Sequence, residues 1–397
     1  MEDTRPIQTR EAYDVVVVGG GAAGVAAAVA AARQGAGVLL LEKAVALGGL
    51  ATLGLISWYE PLCDGKGTQM VGGIAEELLR LAVRYGFDDL PGDWREKDRV
   101  PEPREGRYAT HFSPTLTAMA LDEYTQSQGV RLRFDTAAVF PVMEGGVCRG
   151  VLCESLGGRE FFPAKAVIDA TGTACVMAAA GVPTRLGENF LTYVAHYTSR
   201  ELAGEFAGGG AGAKFRKWRW AGSSLSGKGH PQGMPPLVCR DSGDVTDFVL
   251  RGRALLFEQL REENREDRDV TMLPMMPQYR TIRHIVGEYE FLGTEEGAAF
   301  EDAVGSMGDF RRRGPRFQLP YRTLYHRDFP NLFAAGRIIS AHGDGWEITR
   351  VIPVAALSGQ AAGTAAALCV RGGCAAHQVP VARLQEILRR SGVLFRI

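Results

Sequence analysis

The chain has 397 residues, of which 46% are hydrophobic and 23% charged, and its formal net charge is -1. This length allows two domains or one large discontinuous domain. The apolar content excludes an intrinsically disordered chain, and the balanced charge excludes the basic surface of a typical nucleic-acid-binding protein.

The N-terminal segment and the cysteines indicate a cytoplasmic location. Residues 1–13 are polar and lack the apolar centre of a signal peptide. No apolar stretch reaches about 18 residues without small or polar interruptions, so no membrane span is expected. The seven cysteines lack the CxxC spacing of metal or redox sites, which predicts reduced thiols and no metal site.

The first part of the chain predicts a βαβ unit. An apolar strand at 14–18 is followed by an alanine-rich helix at 22–34 and a second buried strand at 37–42. This order is typical of a parallel sheet covered on both faces. A glycine-rich segment at 48–73 and an amphipathic helix at 73–85 come next.

A charged, proline-punctuated loop is predicted for 88–110. The pair Ser113-Pro114 then supplies a capping hydroxyl and a proline at the first helical position. We expect the helix that it opens to end at Gln128, because Gly129 follows.

Strands dominate the next part of the chain. Residues 131–140 predict one strand, and 147–163 predict a hairpin that turns at Gly157-Gly158. Residues 164–172 continue as a strand into a glycine turn. From about 185 to 320 the composition changes, and this part is expected to form a separate domain.

The C-terminal part returns to apolar strand and helix. Residues 331–339 predict a strand, a helix is expected after Pro353, and a last helix is expected at 380–391. A charged helix is expected at 245–266, in the preceding domain.

A glycine fingerprint lies between the first strand and the first helix. Gly19 allows the turn, Gly21 allows a pyrophosphate to approach the backbone, and Gly24 allows helix and strand to pack closely. Glu42, at the end of the second strand, accepts hydrogen bonds from ribose hydroxyls and repels a 2′-phosphate. The pattern predicts dinucleotide binding and disfavours NADP, but it does not separate NAD from FAD.

Six further motifs separate these two cofactors. They are Glu42-Lys43 with GGLAT at 48–52, DATG at 169–172, RTIRHIVGEY at 280–289, PYR at 320–322, NLFAAGR at 331–337, and RVIP at 350–353 with GQAAG at 359–363. In this order they resemble the FAD-dependent oxidoreductases of the glutathione-reductase-like superfamily, and most closely a bacterial family of FAD oxidoreductases. The resemblance covers most of the chain.

The resemblance implies an α/β fold. A Rossmann-like FAD-binding domain, with a parallel sheet and a β-meander, is expected to be discontinuous over 10–184 and 323–397. An α+β substrate domain is expected at 185–322. The implied contacts of a non-covalent FAD are Gly19, Gly21, Ala22, Ala23, Gly24, Glu42, Lys43, Gly48, Gly49, Leu50, Ala51, Thr52, Val139, Ala170, Thr171, Gly172, Gly336, Arg337, Ile352, Pro353 and Val354.

The helix that begins at Ile352-Pro353 is expected to direct its positive end at the flavin pyrimidine edge, with the charge of Arg350 just ahead of it. A helix-cap or surface role for Arg350 is the alternative. No second glycine fingerprint follows an apolar strand, and the CxxxxC of disulfide reductases is missing. A built-in NAD(P)H domain is therefore not expected.

The catalytic candidates are arginines and histidines of the later part of the chain. If 278–291 is a strand, Arg280 and His284 share one face and could bind an anionic or carbonyl-bearing substrate and move a proton. His342 is another candidate base, and Arg350 is the fourth candidate. A salt bridge or a satisfied core group is the alternative for each of them.

These patterns predict an oxidoreductase that transfers a hydride between a small organic substrate and tightly bound FAD. The alternative is a flavin-stabilised binding or assembly protein whose FAD is structural. The C-terminal return segment disfavours an NAD-only dehydrogenase. The expected partners are a small-molecule substrate and an external electron acceptor or donor, with no nucleic acid and no membrane; the basic aromatic patch at 214–220 is too short for a nucleic-acid site.

Overall fold

A computed structural model describes residues 6–90, 107–209, 216–224 and 226–397. Its strands are β1 (Ile7–Thr9), β2 (Tyr13–Val18), β3 (Val38–Leu41), β4 (Trp58–Tyr59), β5 (Thr110–His111), β6 (Arg131–Arg133), β7 (Thr136–Glu144), β8 (Val147–Ser155), β9 (Gly158–Asp169), β10 (Thr184–Leu186), β11 (Thr192–Ser199), β12 (Lys217–Gly222), β13 (Arg268–Met272), β14 (Arg283–Ile285), β15 (Phe291–Leu292), β16 (Ala303–Gly308), β17 (Arg316–Pro320), β18 (Leu332–Ala334) and β19 (Ala341–His342).

The helices of the described residues are α1 (Ala22–Arg33), α2 (Ile74–Arg84), α3 (Pro114–Ser127), α4 (Cys175–Ala180), α5 (Arg200–Ala207), α6 (Ser242–Arg261), α7 (Asp344–Thr349), α8 (Ile352–Gly372) and α9 (Val381–Arg390). Short 3-10 turns lie at Gly49–Ala51, Tyr321–Thr323 and Ala376–Gln378. The predicted helices agree with these bounds to within a few residues at each end.

The central sheet is organised around the long strand β9. The C-terminal half of β9 pairs in parallel with β2 and β18, and its N-terminal half pairs antiparallel with β8 and parallel with β1. β3 and β6 extend the parallel part, while β7 extends the antiparallel part, which gives the order β6-β3-β2-β9-β8-β7. A parallel sheet and a β-meander therefore share one strand, and the predicted α/β fold class is confirmed.

Helices α1 and α8 pack with their backbones in close contact. A Cβ atom added at Gly359 would lie 2.1 Å from the carbonyl oxygen of Ala23, and one at Gly363 would lie 2.1 Å from that of Ala27. α8 is long and apolar enough to cross a membrane by length and composition, but 94% of its apolar window is buried inside the protein. Its small residues serve this helix contact.

A second apolar core lies between the antiparallel strands β12-β11-β13 and helix α6. It is separate from the main core, which surrounds the central sheet. Its buried members are Leu191, Tyr193, Ala195, Ala221, Cys239, Phe248, Leu256, Tyr279 and Ile282.

Three sequence predictions need correction. Residues 131–140 form two strands, because Asp135 adopts a left-handed backbone (φ 50°) between them. The strand expected at 331–339 ends at Ala334, because Gly336 (φ 80°) turns the chain. Within 278–291, only β14 and the first residue of β15 are β-strand.

Two other predictions fall partly outside the described residues. The loop expected at 88–110 lies mostly in 91–106, outside the described residues. The first two residues of the patch at 214–220 also lie outside them. The described end of that patch belongs to β12.

Candidate active site

A cavity of about 420 Å³ opens at the carboxyl ends of β2, β3, β9 and β18. Ligands of open α/β sheets bind at this edge. The wall is formed by residues from well-separated parts of the chain: Val18, Gly19, Gly21, Ala22, Ala23, Leu41, Glu42, Lys43, Ala44, Gly48, Gly49, Leu50, Ala51, Leu53, Thr136, Ala137, Ala138, Ala170, Thr171, Gly172, Thr173, Cys175, Met275, Met276, Pro277, Ala335, Gly336, Arg337, Arg350, Ile352 and Ala355.

One end of the cavity is the glycine turn ahead of α1. Gly21 is the N-cap of α1, and among the described residues no side chain caps the helix and no acidic residue stands in its first turn. The first amides of the helix therefore remain available to an anion. A Cβ added at Gly21 meets no described atom within 4 Å, whereas one at Gly24 would lie 1.7 Å from the carbonyl oxygen of Gly19. Gly21 thus faces open space and Gly24 faces backbone, as a pyrophosphate cradle requires.

Glu42 lies at the end of β3 and is 8% exposed. Its Oε2 accepts a hydrogen bond from the amide of Gly20 (2.7 Å), and its Oε1 accepts one from the amide of Ala44 (2.8 Å). A carboxylate has about four lone-pair sites. Two sites are therefore left for hydroxyl donors in the cavity, as recognition of a ribose requires.

The loop from Gly48 to Thr52 is fixed to the glycine turn. The amide of Gly48 donates to the carbonyl of Gly20 (2.8 Å), and the hydroxyl of Thr52 donates to the carbonyl of Leu47 (2.5 Å). The residues between them form a 3-10 turn along the cavity wall. Thr52 supports this turn from behind the wall.

The segment 169–172 lies directly beside the glycine turn, where a Cβ added at Gly19 would lie 2.6 Å from the carbonyl oxygen of Ala170. Asp169 is fully buried, and its carboxylate accepts from the amide and hydroxyl of Thr171 and from the amides of Val176 and Met177, at 2.6 to 3.0 Å. Burial raises the pKa of Asp169 against the lowering effect of these donors. The side chain joins the end of β9 to the start of α4 and so fixes the turn at Ala170–Gly172.

The far end of the cavity is closed by residues 275–277. The amide of Met275 donates to the carbonyl of Leu53 (2.8 Å), and the side-chain amide of Gln278 donates to the carbonyl of Gly54 (2.6 Å). These bonds hold an apolar wall of Met275, Met276 and Pro277 against the loop that carries Leu53.

Two arginines line this far end. Arg337 donates from Nε to the carbonyl of Gly172 (2.7 Å) and from Nη1 to that of Tyr279 (2.5 Å). Burial, together with the charge of Arg350, lowers the pKa of Arg337 to about 10. Arg350 pairs through Nη2 with Glu347 (2.5 Å), while its buried Nε has no hydrogen-bond partner among the described residues.

Positive charge accumulates beside Arg350. Arg280 donates from Nη2 to the hydroxyl of Thr192 (3.0 Å), and burial, with the nearby charge of Arg350, lowers its pKa to about 10. Burial raises the pKa of Glu347, but Arg350 and then Arg280 outweigh this and lower it. Glu347 therefore lies near the charges of three arginines, Arg350, Arg280 and Arg311.

The N-terminus of α8 has a partner that sequence reasoning missed. The amide of Ile352 donates to Oε2 of Glu60 (3.1 Å), a carboxyl group that is 7% exposed. Burial raises the pKa of Glu60 to about 7. Its position within the glycine-rich segment gave no signal, because the contact joins residues 292 positions apart.

Most of the predicted cofactor contacts line the cavity, but five do not. Gly24, Thr52, Pro353 and Val354 lie behind the wall. Val139 is 44% exposed, and the wall contains its neighbours Thr136, Ala137 and Ala138 instead. The residues of 275–277 were also missed, because they carry no motif.

The structure separates the catalytic candidates. Arg280 and His284 do not share a strand face as predicted: Arg280 lies beside Thr192, whereas the ring of His284 packs on Trp346 (4.5 Å between centroids). His284 and His342 lie outside the wall of the cavity, and they meet each other and Glu290 instead. Of the four candidates, Arg350 alone is part of the wall.

A cavity at the carboxyl ends of parallel strands, with a glycine turn at a helix N-terminus, is typical of dinucleotide-binding domains. Residues 14–194 and 245–388 match the family described as FAD dependent oxidoreductase, which is more than half of the chain. The chain belongs to this family. It is an FAD-dependent oxidoreductase, and its cofactor is FAD.

Among proteins with curated descriptions, none matches the sequence. Solved structures with a similar fold include a geranylgeranyl bacteriochlorophyll reductase-like protein from Thermoplasma acidophilum, 13% identical over 98% of this chain and 85% of that chain (TM-score 0.45). The flavin-dependent brominase Bmp2 is 16% identical over 96% and 84% (TM-score 0.46). A 3-ketosteroid-delta4-(5alpha)-dehydrogenase from Rhodococcus jostii is 17% identical over 92% and 98% (TM-score 0.40).

Proposed function

We propose that the cavity holds FAD non-covalently in an extended form, as in the glutathione-reductase-like superfamily. The open helix N-terminus at Gly21 and the fixed carboxylate of Glu42 support a site for the adenosine diphosphate half. The apolar wall of 275–277 and the charge of Arg350 support a site for the ring at the opposite end. The observation that carries the proposal is the continuity of one cavity between these two ends.

The same cavity supports the proposed domain division. Its wall takes residues 18–53, 136–138, 170–175 and 335–355 from the segments assigned to the FAD domain (10–184 and 323–397). Only 275–277 come from the segment assigned to the substrate domain (185–322). We therefore propose that the inserted domain covers the ring end and brings the substrate to it.

When bound, FAD supplies the acceptor or donor for hydride exchange with a small organic substrate. The chain itself supplies position and charge. Met275, Met276 and Pro277 supply an apolar wall at the ring end, and Arg350 holds a positive charge there. Arg280 and Arg350, with one nearby carboxylate, are suited to bind a substrate that carries a carboxylate or a polarised carbonyl.

We also propose a cytoplasmic location. Cys148 and Cys153 form no disulfide bond, and burial raises the pKa of their thiols to about 11 and about 12. Unpaired thiols that remain protonated are typical of proteins from a reducing compartment.

The experiment is an anaerobic screen. The purified protein should be yellow and should release intact FAD when it is denatured by acid. Carboxylic and carbonyl-bearing metabolites are then added without oxygen, and absorbance near the flavin maximum is followed. Bleaching by at least one of them is expected. A flavin that no compound of these classes bleaches or reoxidises would favour the alternative of a structural FAD.

The matched variants are Arg350→Met and Arg371→Met. Arg350 lines the cavity just ahead of α8, whereas Arg371 is an exposed arginine in the last turn of α8. Arg350→Met is expected to slow bleaching by an anionic substrate roughly tenfold or more, the loss of a charge-assisted contact of about 1.5–3 kcal/mol. Arg371→Met should leave the rate unchanged. Equal rates in both variants would remove Arg350 from the proposal.

A further inference from the structure

A cluster outside the FAD cavity brings together two histidines and one carboxylate. His284 lies on β14, Glu290 directly precedes β15, and His342 lies on β19. One ligand atom from each lies within 4.8 Å of the other two. Strand pairing fixes this arrangement, because β14 pairs with β10 and β15 pairs in parallel with β19 at Leu292 and His342.

The ring of His284 is already held in one tautomer and one orientation. Its Nδ1 lies 2.8 Å from the carbonyl oxygen of Ile285, and a carbonyl only accepts, so Nδ1 carries the proton. The Nε2 lone pair is therefore free to bind a cation. A backbone carbonyl on the second ring nitrogen is the usual support of a metal-binding histidine. Trp346 fixes the ring from the side, and burial lowers the pKa of His284, which favours the neutral form that a metal requires.

The carboxylate of Glu290 retains lone pairs for a cation. Arg185 Nη1 lies 3.1 Å from Oε1 as an ion pair, but this buried oxygen has no hydrogen-bond partner among the described residues. The side chain of Arg185 is 49% exposed. It is therefore free to turn towards solvent when a cation takes its place.

We propose that His284 Nε2, His342 and Glu290 form a binding site for a divalent first-row transition cation, with Zn²⁺ as the probe. Two imidazoles and one carboxylate favour such cations over Mg²⁺ and Ca²⁺, which prefer oxygen ligands alone. His342 is exposed, so the remaining coordination positions open to water. The spacing of residues along the chain did not indicate this site, because its three ligands lie in segments that meet only in the fold.

The site lies behind the wall of the FAD cavity. The indole of Trp346, which packs on His284, donates to the carbonyl of Arg337 (2.6 Å), and Arg337 lines the cavity. A bound cation would brace this wall. The inference goes beyond the proposed function, and FAD binding does not depend on it.

The test uses the holoenzyme without a polyhistidine tag, dialysed first against a chelator and then against Zn²⁺, with metal and flavin measured in the same samples. One Zn²⁺ per chain is expected, together with a rise in the unfolding midpoint, and Mg²⁺ should not replace it. His342→Ala and Glu290→Gln should each weaken Zn²⁺ binding about tenfold or more. The matched control His377→Ala, an exposed histidine outside the cluster, should bind as the wild type does.

Arg185→Ala separates a metal site from a hydrogen-bonded polar cluster without removing a ligand. If Arg185 competes with the cation for Glu290, this variant binds Zn²⁺ as tightly as the wild type or several-fold more tightly. Weaker binding in Arg185→Ala, no stoichiometric Zn²⁺ in the wild type, or wild-type affinity in both ligand variants would overturn the proposal. The flavin content shows that each variant is folded.

Discussion

At the scale of single residues, Glu60 links the N-terminus of α8 to the pH dependence of the protein. Burial raises its pKa to about 7 from an ordinary value of 4.5. The folded protein therefore binds one more proton than the unfolded chain between these pH values. Its contribution to stability is complete below pH 4.5 and is lost as the pH rises through 7.

We expect Glu60→Gln to flatten this dependence. The stability advantage of the wild type over Glu60→Gln should fall by about 3 kcal/mol between pH 4.5 and 8, at ~1.4 kcal/mol for each pKa unit. The measurement is urea unfolding of both proteins across this range. Parallel stability curves would show that Glu60 titrates normally in the folded state.

Asp169 is the second residue whose substitution should measurably change stability. Asp169→Ala removes the acceptor of four hydrogen bonds, two of them from the buried backbone amides of Val176 and Met177. Unsatisfied buried donors cost about 1–3 kcal/mol each, so a loss of about 3 kcal/mol or more is expected in urea unfolding, with lower FAD retention. Asp328→Ala, which removes a carboxylate that is 74% exposed, should change stability by less than ~0.5 kcal/mol. A small and equal loss in both variants would contradict this role of Asp169.

At the scale of elements, the contact of α1 with α8 depends on two glycines. Gly359→Ala places a methyl group 2.1 Å from the carbonyl oxygen of Ala23, so the helices must separate. Overpacking of this kind typically costs about 1–3 kcal/mol, and it also displaces the first turn of α1, which lines the cavity. The unfolding midpoint and FAD retention should both fall.

The matched control is Gly372→Ala at the end of α8. There the added Cβ meets only the sulfur of Cys374, at an ordinary 3.6 Å. This variant should be neutral or slightly stabilised, because alanine is the better helix former. The prediction for the helix contact fails if both alanine variants retain wild-type stability.

Elements with local signals were predictable, and elements with remote partners were not. The βαβ unit at 13–41 and the capped helix α3 follow from apolar spacing, glycines and the Ser113-Pro114 pair. The shared face of Arg280 and His284 depended on 278–291 being one strand, which it is not. The hydrogen bonds of this segment instead go to several separate segments: the amide of Ile285 to Ile338, that of Val286 to Pro183, and that of Phe291 to Ser340.

At the scale of the whole molecule, the site residues with local sequence signals were predictable, and those with remote partners were not. The glycine turn and Glu42 were found because one βαβ unit brings them together. Met275, Glu60 and the cluster at His284 were missed, because only the fold places them beside residues far away in sequence. The central claim is that one cavity runs from the glycine turn to Arg350 and holds FAD along its length.

Gly21→Val tests this claim most directly. Gly21 has an ordinary backbone (φ -68°), and its added Cβ meets no described atom within 4 Å, so the variant should fold with an unchanged free energy of unfolding. The side chain would occupy the space of the pyrophosphate. We predict that FAD affinity, measured by titration of the apoprotein, falls about tenfold to a hundredfold, equivalent to ~1.4–3 kcal/mol. A Gly21→Val protein that binds FAD as tightly as the wild type would contradict the proposed position of the cofactor.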